Sequence, residues 1–322
     1  MLGDSMLIAA RRHPFFYYSG QTVMQTMDDK DPTLFCINAH ILCTRTVFYK
    51  DMFECLQTST TLDGTSDEHP IYVPFQTKQF EAFVAYLYKG PDDWPGDQGR
   101  DLDFLRSILQ VSAFLDCDDG YRWAVKNLDP LPHMSPALRL HLASAYRVDG
   151  WVEPAFKALV DLQNPLPSYP DALEYFTLPD LAIIAHTREN IRKSRQLWML
   201  CPPPMHSICK NSLKCQAAWT STWWKGLGPR VFHPDTPMSG LQVQKLLEGD
   251  KIAGICKECK ANVLARMAEK DALRKEELVV AESLAQMQEL QMGCPFGALK
   301  AFAAFGAPSN SPQSMPPVPS QV

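Results

Sequence analysis

The chain has 322 residues, enough for about two domains, and is 46% hydrophobic and 21% charged, the balance of a water-soluble globular protein. A formal net charge of −5 argues against a globally basic nucleic-acid binder, and no apolar run approaches the ~20 residues needed to span a bilayer. Ten cysteines scattered over a chain of this length fit a reducing, intracellular compartment, cytoplasm or nucleus, with free or metal-bound thiols rather than a disulfide framework.

In chain order, Met6 to Ala10 is too short an apolar core for a good secretory signal, and residues up to about 15 carry no clear pattern. A turn at Ser19-Gly20 leads into a strand ending near Thr26, and the polar stretch Asp28 to Pro32 separates it from the apolar run Leu34-Phe35-Cys36-Ile37, which predicts a hairpin. Helical spacing follows through Ile41, Leu42, Val47, Phe48, Met52 and Phe53, with Thr44 and Thr46 placed to cap helices. After a polar loop, Ile71-Tyr72-Val73 reads as a short strand. Thr77 to Tyr88 is an amphipathic helix with Phe80, Phe83, Val84 and Leu87 on one stripe. Helices are predicted over Leu102 to Phe114 and Gly120 to Leu128, and Asp116, Asp118 and Asp119 between them read as caps and solvated charge.

Phe35, Ile37, Leu42, Phe48, Asp51, Met52 and Phe53, followed by the strand at Ile71 and the helix that ends in Tyr88-x-Gly90, resemble a BTB (POZ) domain over residues 15–130. The helix containing Val111-Ser112-Ala113 resembles that family's next segment. Asn38 stands where the family usually has histidine, and Thr46 where it has serine. The resemblance implies an α+β fold in which short helices flank a small sheet. It also implies homodimerisation and, in many members, recruitment of a cullin scaffold for ubiquitin ligation. Partner contacts in the family fall near the positions of Met52, Phe53, Phe75 and Phe80.

Beyond the proline-punctuated linker from Leu131 to Pro136, helices are predicted from Ser135, over Val152 to Leu162, and over Pro179 to Trp198. This second segment, 131–200, resembles the BACK-like helical extension of BTB proteins. The third, 201–292, carries Cys209-x5-Cys215, then Trp219, Trp223 and Trp224, then His233-Pro234-Asp235, and closes with Cys256-x-x-Cys259. A Cys-x-x-Cys turn directs two thiolates at one tetrahedral zinc, and two such pairs would saturate a structural site. Cys209, Cys215, Cys256 and Cys259 are therefore the candidate zinc ligands, with His206 and His233 in reserve. The alternative is ordinary reduced, partly buried cysteine. The layout also resembles the C-terminal region of a large fungal group of BTB proteins, which carries no established activity. Trp219 and Trp223, four apart, share a helix face and read as core; Trp224 lies off it.

From Lys193 to Lys275 there are 14 Lys or Arg against 6 Asp or Glu, a surplus of +8 that leaves −13 for the rest. Val263 to Met292 reads as one long helix of good helix formers, and residues 293–322, dominated by Gly, Ala, Ser and Pro, as a disordered tail. No nucleophile or acid/base constellation emerges, since adjacent Glu276 and Glu277 cannot face each other on a helix. The expectation is a non-enzymatic interaction protein: a BTB-mediated homodimer and cullin adaptor whose C-terminal region selects a partner. The alternative is a nuclear regulator that contacts nucleic acid through the basic Cys-rich segment.

Overall fold

The computed structural model describes residues 10–17, 22–28, 30–54, 63–90, 101–204, 209–249, 252–269 and 273–292. The chain is mixed α+β, mostly helical with one small sheet, and divides into two compact units between Ser135 and Pro136.

The first unit opens with strands β1 (Arg11–Tyr17), β2 (Thr22–Thr26) and β3 (Thr33–Ile37), and β4 (Ile71–Val73) joins them later in the order β1-β3-β2-β4. β2 and β3 pair antiparallel with Met24 opposite Phe35; β1 on β3 and β4 on β2 are parallel. Every residue of β3 is buried, as its unbroken apolar run requires. β1 has no counterpart in the sequence pattern. His13 is its one fully buried residue, so it shows no alternation to read, and its Pro14 is tolerated because β1 is an edge strand. The His13 ring lies between Phe16 and Phe35, and its Nδ1 accepts the N–H groups of Phe15 (3.2 Å) and Phe16 (3.1 Å).

Two helices follow β3: α1 (Ala39–Arg45) and α2 (Val47–Glu54). Asn38 caps α1 through its Oδ1, which accepts the His40 N–H at 2.9 Å, and its own N–H donates to the Tyr88 hydroxyl. Thr46 separates the helices. Its backbone is extended, its hydroxyl donates to the Leu42 carbonyl at 2.8 Å, and the same oxygen accepts the Tyr49 N–H. The β-branched residue thus closes one helix and opens the next.

Helix α3 (Thr77–Lys89) buries Phe80, Phe83, Val84 and Leu87, with Phe80 edge-on to Phe35 of the sheet at 5.1 Å between ring centres. It ends at Gly90, whose φ of 75° suits a residue with no Cβ. α4 (Leu102–Leu115) stops at Asp116, which adopts the left-handed conformation, and α5 (Asp118–Leu128) follows with Asp118 and Asp119 in its first turn. Those carboxylates pair with Arg122 at 2.7 Å and Arg45 at 3.2 Å, so the aspartates act as cap and solvated charge. Phe75 and Phe80 are buried core, whereas Met52 and Phe53 are half-buried.

The second unit is built from helices α6 (Pro136–Tyr146), α7 (Asp149–Val160), α8 (Tyr169–Tyr175), α9 (Leu178–Leu200), α10 (Ser212–Ser221), α11 (Gly228–Val231), α12 (Gly240–Gly249), α13 (Lys257–Glu269) and α14 (Lys275–Met292). α9 starts with a capping box, Thr177 and Asp180 exchanging backbone bonds around Pro179. Between α10 and α11 the helix widens into a π-helical stretch, Thr222–Leu227. Pro229 has no N–H to donate back into the ladder, and the Gly228 N–H reaches the Trp223 carbonyl five residues earlier.

The single helix expected over Val263 to Met292 is instead two, α13 and α14. Leu273, in the turn before α14, is buried in the same core as Trp198, Trp219 and Trp223. Its backbone lies so close to Gly240 that a Cβ there would come within 2.2 Å of the Leu273 carbonyl oxygen. Helix propensity favoured continuity; burial of Leu273 against the start of α12 breaks it. α14 then packs along α9, where Arg195 and Glu276 form a bidentate ion pair at 3.0 and 2.8 Å with side chains only 5% and 12% exposed. Glu276 also accepts the Gly240 N–H at 3.1 Å. The tail at 293–322 lies outside the described residues.

Candidate metal centre

The four cysteines singled out by spacing converge. Cys209 begins the turn that leads into α10, where the Ser212 N–H returns to the Cys209 carbonyl at 3.2 Å. Cys215 lies on the first turns of α10 and is buried. Cys256 immediately precedes α13, its carbonyl accepting the Lys260 N–H at 3.0 Å, and Cys259 is buried on the first turn of that helix. Residues three apart at a helix start share one face, so Cys256 and Cys259 point the same way.

Gly254 brings the two pairs together. It has a φ of 82°, and a Cβ on it would approach the Ala218 side chain of α10 at 3.0 Å. The turn Ile252–Ile255, closed by an Ile255 N–H to Ile252 carbonyl bond, therefore lies against α10, and Ile252 and Ile255 pack on the core below.

The Cys209 Sγ is 3.7 Å from that of Cys215 and 3.8 Å from that of Cys256, and all four sulfurs lie within 4.8 Å of one another. A disulfide needs about 2.05 Å, so these are separate thiols. A tetrahedral zinc with bonds of about 2.3 Å would separate its sulfurs by about 3.8 Å. The group can hold a metal ion, and four sulfurs leave no open position at a four-coordinate ion.

The surroundings match that chemistry. The Asn211 N–H points at the Cys209 Sγ at 3.3 Å, a donor suited to a sulfur that carries negative charge. Burial, and then hydrogen bonding to Cys256 and Cys209, pushes the Cys259 thiol up from its ordinary value. Crowded thiols resist ionising until a cation supplies the countercharge.

His233 does not join the group. Its Nδ1 accepts the N–H groups of Asp235 (3.3 Å) and Thr236 (3.1 Å), closing the exposed turn that follows α11. His206 lies outside the described residues. Among the other described cysteines, Cys36, Cys43, Cys117 and Cys201 are free and do not belong to the cluster.

The tryptophans form the floor beside the centre. Trp219 follows Cys215 by one helical turn, is 2% exposed, and donates its indole N–H to the Pro203 carbonyl at 3.1 Å. Trp223 is fully buried, donates to the Met199 carbonyl at 2.8 Å, and meets Trp219 at 5.2 Å between ring centres. Trp224 is 43% exposed. Pairing of both indole N–H groups is what makes two such side chains tolerable in a core.

Spacing did not disclose the sulfur-directed Asn211 amide or the role of Gly254. A glycine two residues before a Cys-x-x-Cys is the one signal that points to the latter. Among the described residues no helix is long and apolar enough to cross a membrane. No family model matches the chain, and no curated protein is significantly similar to it.

Proposed function

We propose that the chain is a protein–protein interaction protein without catalytic chemistry of its own. In this reading the first unit is a BTB/POZ-like domain that pairs with a second copy and recruits a partner, a cullin scaffold being the partner the resemblance implies. The second unit selects a further protein, and a structural Zn2+ on Cys209, Cys215, Cys256 and Cys259 braces it.

The observation that carries the reading is an aromatic patch on the first unit. Val47 and Phe48 at the start of α2 are 48% and 44% exposed, and Phe114 at the end of α4 is 37% exposed. The rings of Phe48 and Phe114 are 5.9 Å apart, and Phe114 meets the buried Phe75 edge-on at 5.2 Å. An exposed apolar group held in place from beneath by core rings is ready to dock without much ordering cost. The order of elements supports the same reading: three strands, a helix pair, a strand, then three helices. Asn38 keeps α1 capped despite replacing the family's histidine.

The test is light scattering of the purified chain together with a pull-down of purified cullin, using the parent and Phe48→Glu. The parent is expected to dimerise or capture cullin, and the charged variant to lose at least one of these while keeping its helical circular dichroism. A parent that remains a monomer and captures no cullin would remove the proposal.

A further inference from the structure

Each cysteine of the metal centre has a lysine as its immediate chain neighbour. Lys210 follows Cys209, Lys214 precedes Cys215, Lys257 follows Cys256, and Lys260 follows Cys259. Lysine and arginine together make up 31 of 322 residues, so at the chain's average fewer than one of these neighbouring positions would be basic. The four lysines come from two separate segments that only the fold brings together. Lys210, Lys214 and Lys257 are exposed; Lys260 is half-buried and donates through Nζ to the Glu248 carbonyl at 3.0 Å, tying α13 to the end of α12. The single acid next to the ligands is Glu258, which is exposed.

A divalent cation on four thiolates carries a net charge of about −2. Here that charge would sit partly inside the protein, because Cys215 and Cys259 are 2% and 1% exposed. A buried net charge is costly unless opposite charge stands close by. Consecutive Cα atoms are about 3.8 Å apart, so each lysine is anchored beside a ligand, and with a Debye length of about 8 Å at physiological salt a charge acts across distances of that order. Four ammonium groups less one carboxylate are enough to balance the complex.

We propose that Lys210, Lys214, Lys257 and Lys260 form a cationic collar that supplies the countercharge of the metal–tetrathiolate centre and sets how tightly the chain holds a divalent cation. The inference rests on the metal reading of the four cysteines. The lysines touch no metal; they act through the ligands, so they are positioning residues. Two other exposed lysines of this unit, Lys225 in the π-helical stretch and Lys245 on α12, have no ligand as a chain neighbour and serve as internal controls.

The experiment is competition for Zn2+ between the purified full chain and a chromophoric chelator, read by absorbance over a range of salt. The variants are Lys210→Gln/Lys214→Gln/Lys257→Gln, the same three positions changed to Arg, and Lys225→Gln/Lys245→Gln. The three replaced side chains are exposed, and circular dichroism checks that each variant stays folded. The glutamine triple is expected to hold zinc about tenfold less tightly at low salt, the difference shrinking as salt rises. The arginine triple and the Lys225/Lys245 control are expected to match the parent, because charge rather than side-chain identity is at work. A glutamine triple indistinguishable from a zinc-holding parent would overturn the collar alone. A parent that holds no zinc would overturn the metal reading and the collar with it.

Discussion

Cys209 is the sulfur through which the two cysteine pairs meet, and its replacement by serine tests whether the cluster holds a metal. The side chain is half-buried, so the smaller hydroxyl fits, but an alcohol does not ionise to bind zinc as a thiolate does. Its Sγ lies 3.7 and 3.8 Å from Cys215 and Cys256, one on α10 and the other before α13. Loss of the site therefore uncouples the two segments that carry Trp219 and Val263 in the core. A ligand present at a thousand times its dissociation constant stabilises the folded state by about 4.1 kcal/mol. In a domain the size of the second unit, 1 kcal/mol moves the melting temperature by about 2–4 °C, so the loss is expected to be about 8–16 °C. The assay is differential scanning calorimetry of the full chain with and without a strong chelator. Chelator should lower one transition of the parent by that amount and leave Cys209→Ser unchanged. Cys36→Ser, which alters a buried cysteine of β3 in the other unit, should remain chelator-sensitive. If chelator leaves the parent's transitions in place, the clustering of the sulfurs is packing alone, and the metal argument fails.

Two further outcomes depend on buried polar contacts. Glu276→Ala would strand the Arg195 guanidinium at 5% exposure and remove the acceptor of the Gly240 N–H. The expected cost is about 3–5 kcal/mol in urea unfolding, most of it recovered in the double variant Arg195→Met/Glu276→Leu, which removes both charges. A single-variant loss below about 1 kcal/mol would place the pair among solvent-screened contacts. His13 links the first unit to pH. Burial holds its imidazole below the ordinary value of 6.5, opposed by the nearby Glu81 carboxylate and assisted by Arg11. Its Nδ1 must stay unprotonated to accept two backbone N–H groups. The unfolded chain then binds the proton more readily. Stability from His13 is complete above the unfolded value and falls as pH drops from there through the folded value. Protection of the β1 amides, relative to their intrinsic exchange rates, should fall as pH drops through that window in the parent and stay constant in His13→Asn; a parent with pH-independent protection there would refute the assignment.

Much of this protein is determined locally. The apolar run Leu34 to Ile37, the stripe of Phe80, Phe83, Val84 and Leu87, and the glycine at position 90 each specify an element from a few adjacent residues. The corresponding strand, helix and stop appear where those patterns predict them. Trp219 and Trp223 likewise read as core from a spacing of four, and both are buried. The four-cysteine cluster was legible because cysteine carries its chemistry with it and Cys-x-x-Cys fixes two sulfurs on one turn. What the sequence left open was joined by contacts between distant residues. β1 is a strand only because β3 offers it an edge, since its one buried side chain, His13, shows no period. The break between α13 and α14 is set by Leu273 packing on Gly240, against the preference of the surrounding residues for one continuous helix. Cysteine spacing raised the expectation that the two sulfur pairs meet, but the forty residues between Cys215 and Cys256 do not say how. Closure of that distance rests on Gly254, whose missing side chain lets one turn lie against α10. Local pattern encodes which residues can bind, but proximity is a property of packing, and packing depends on shapes that no short window of sequence contains.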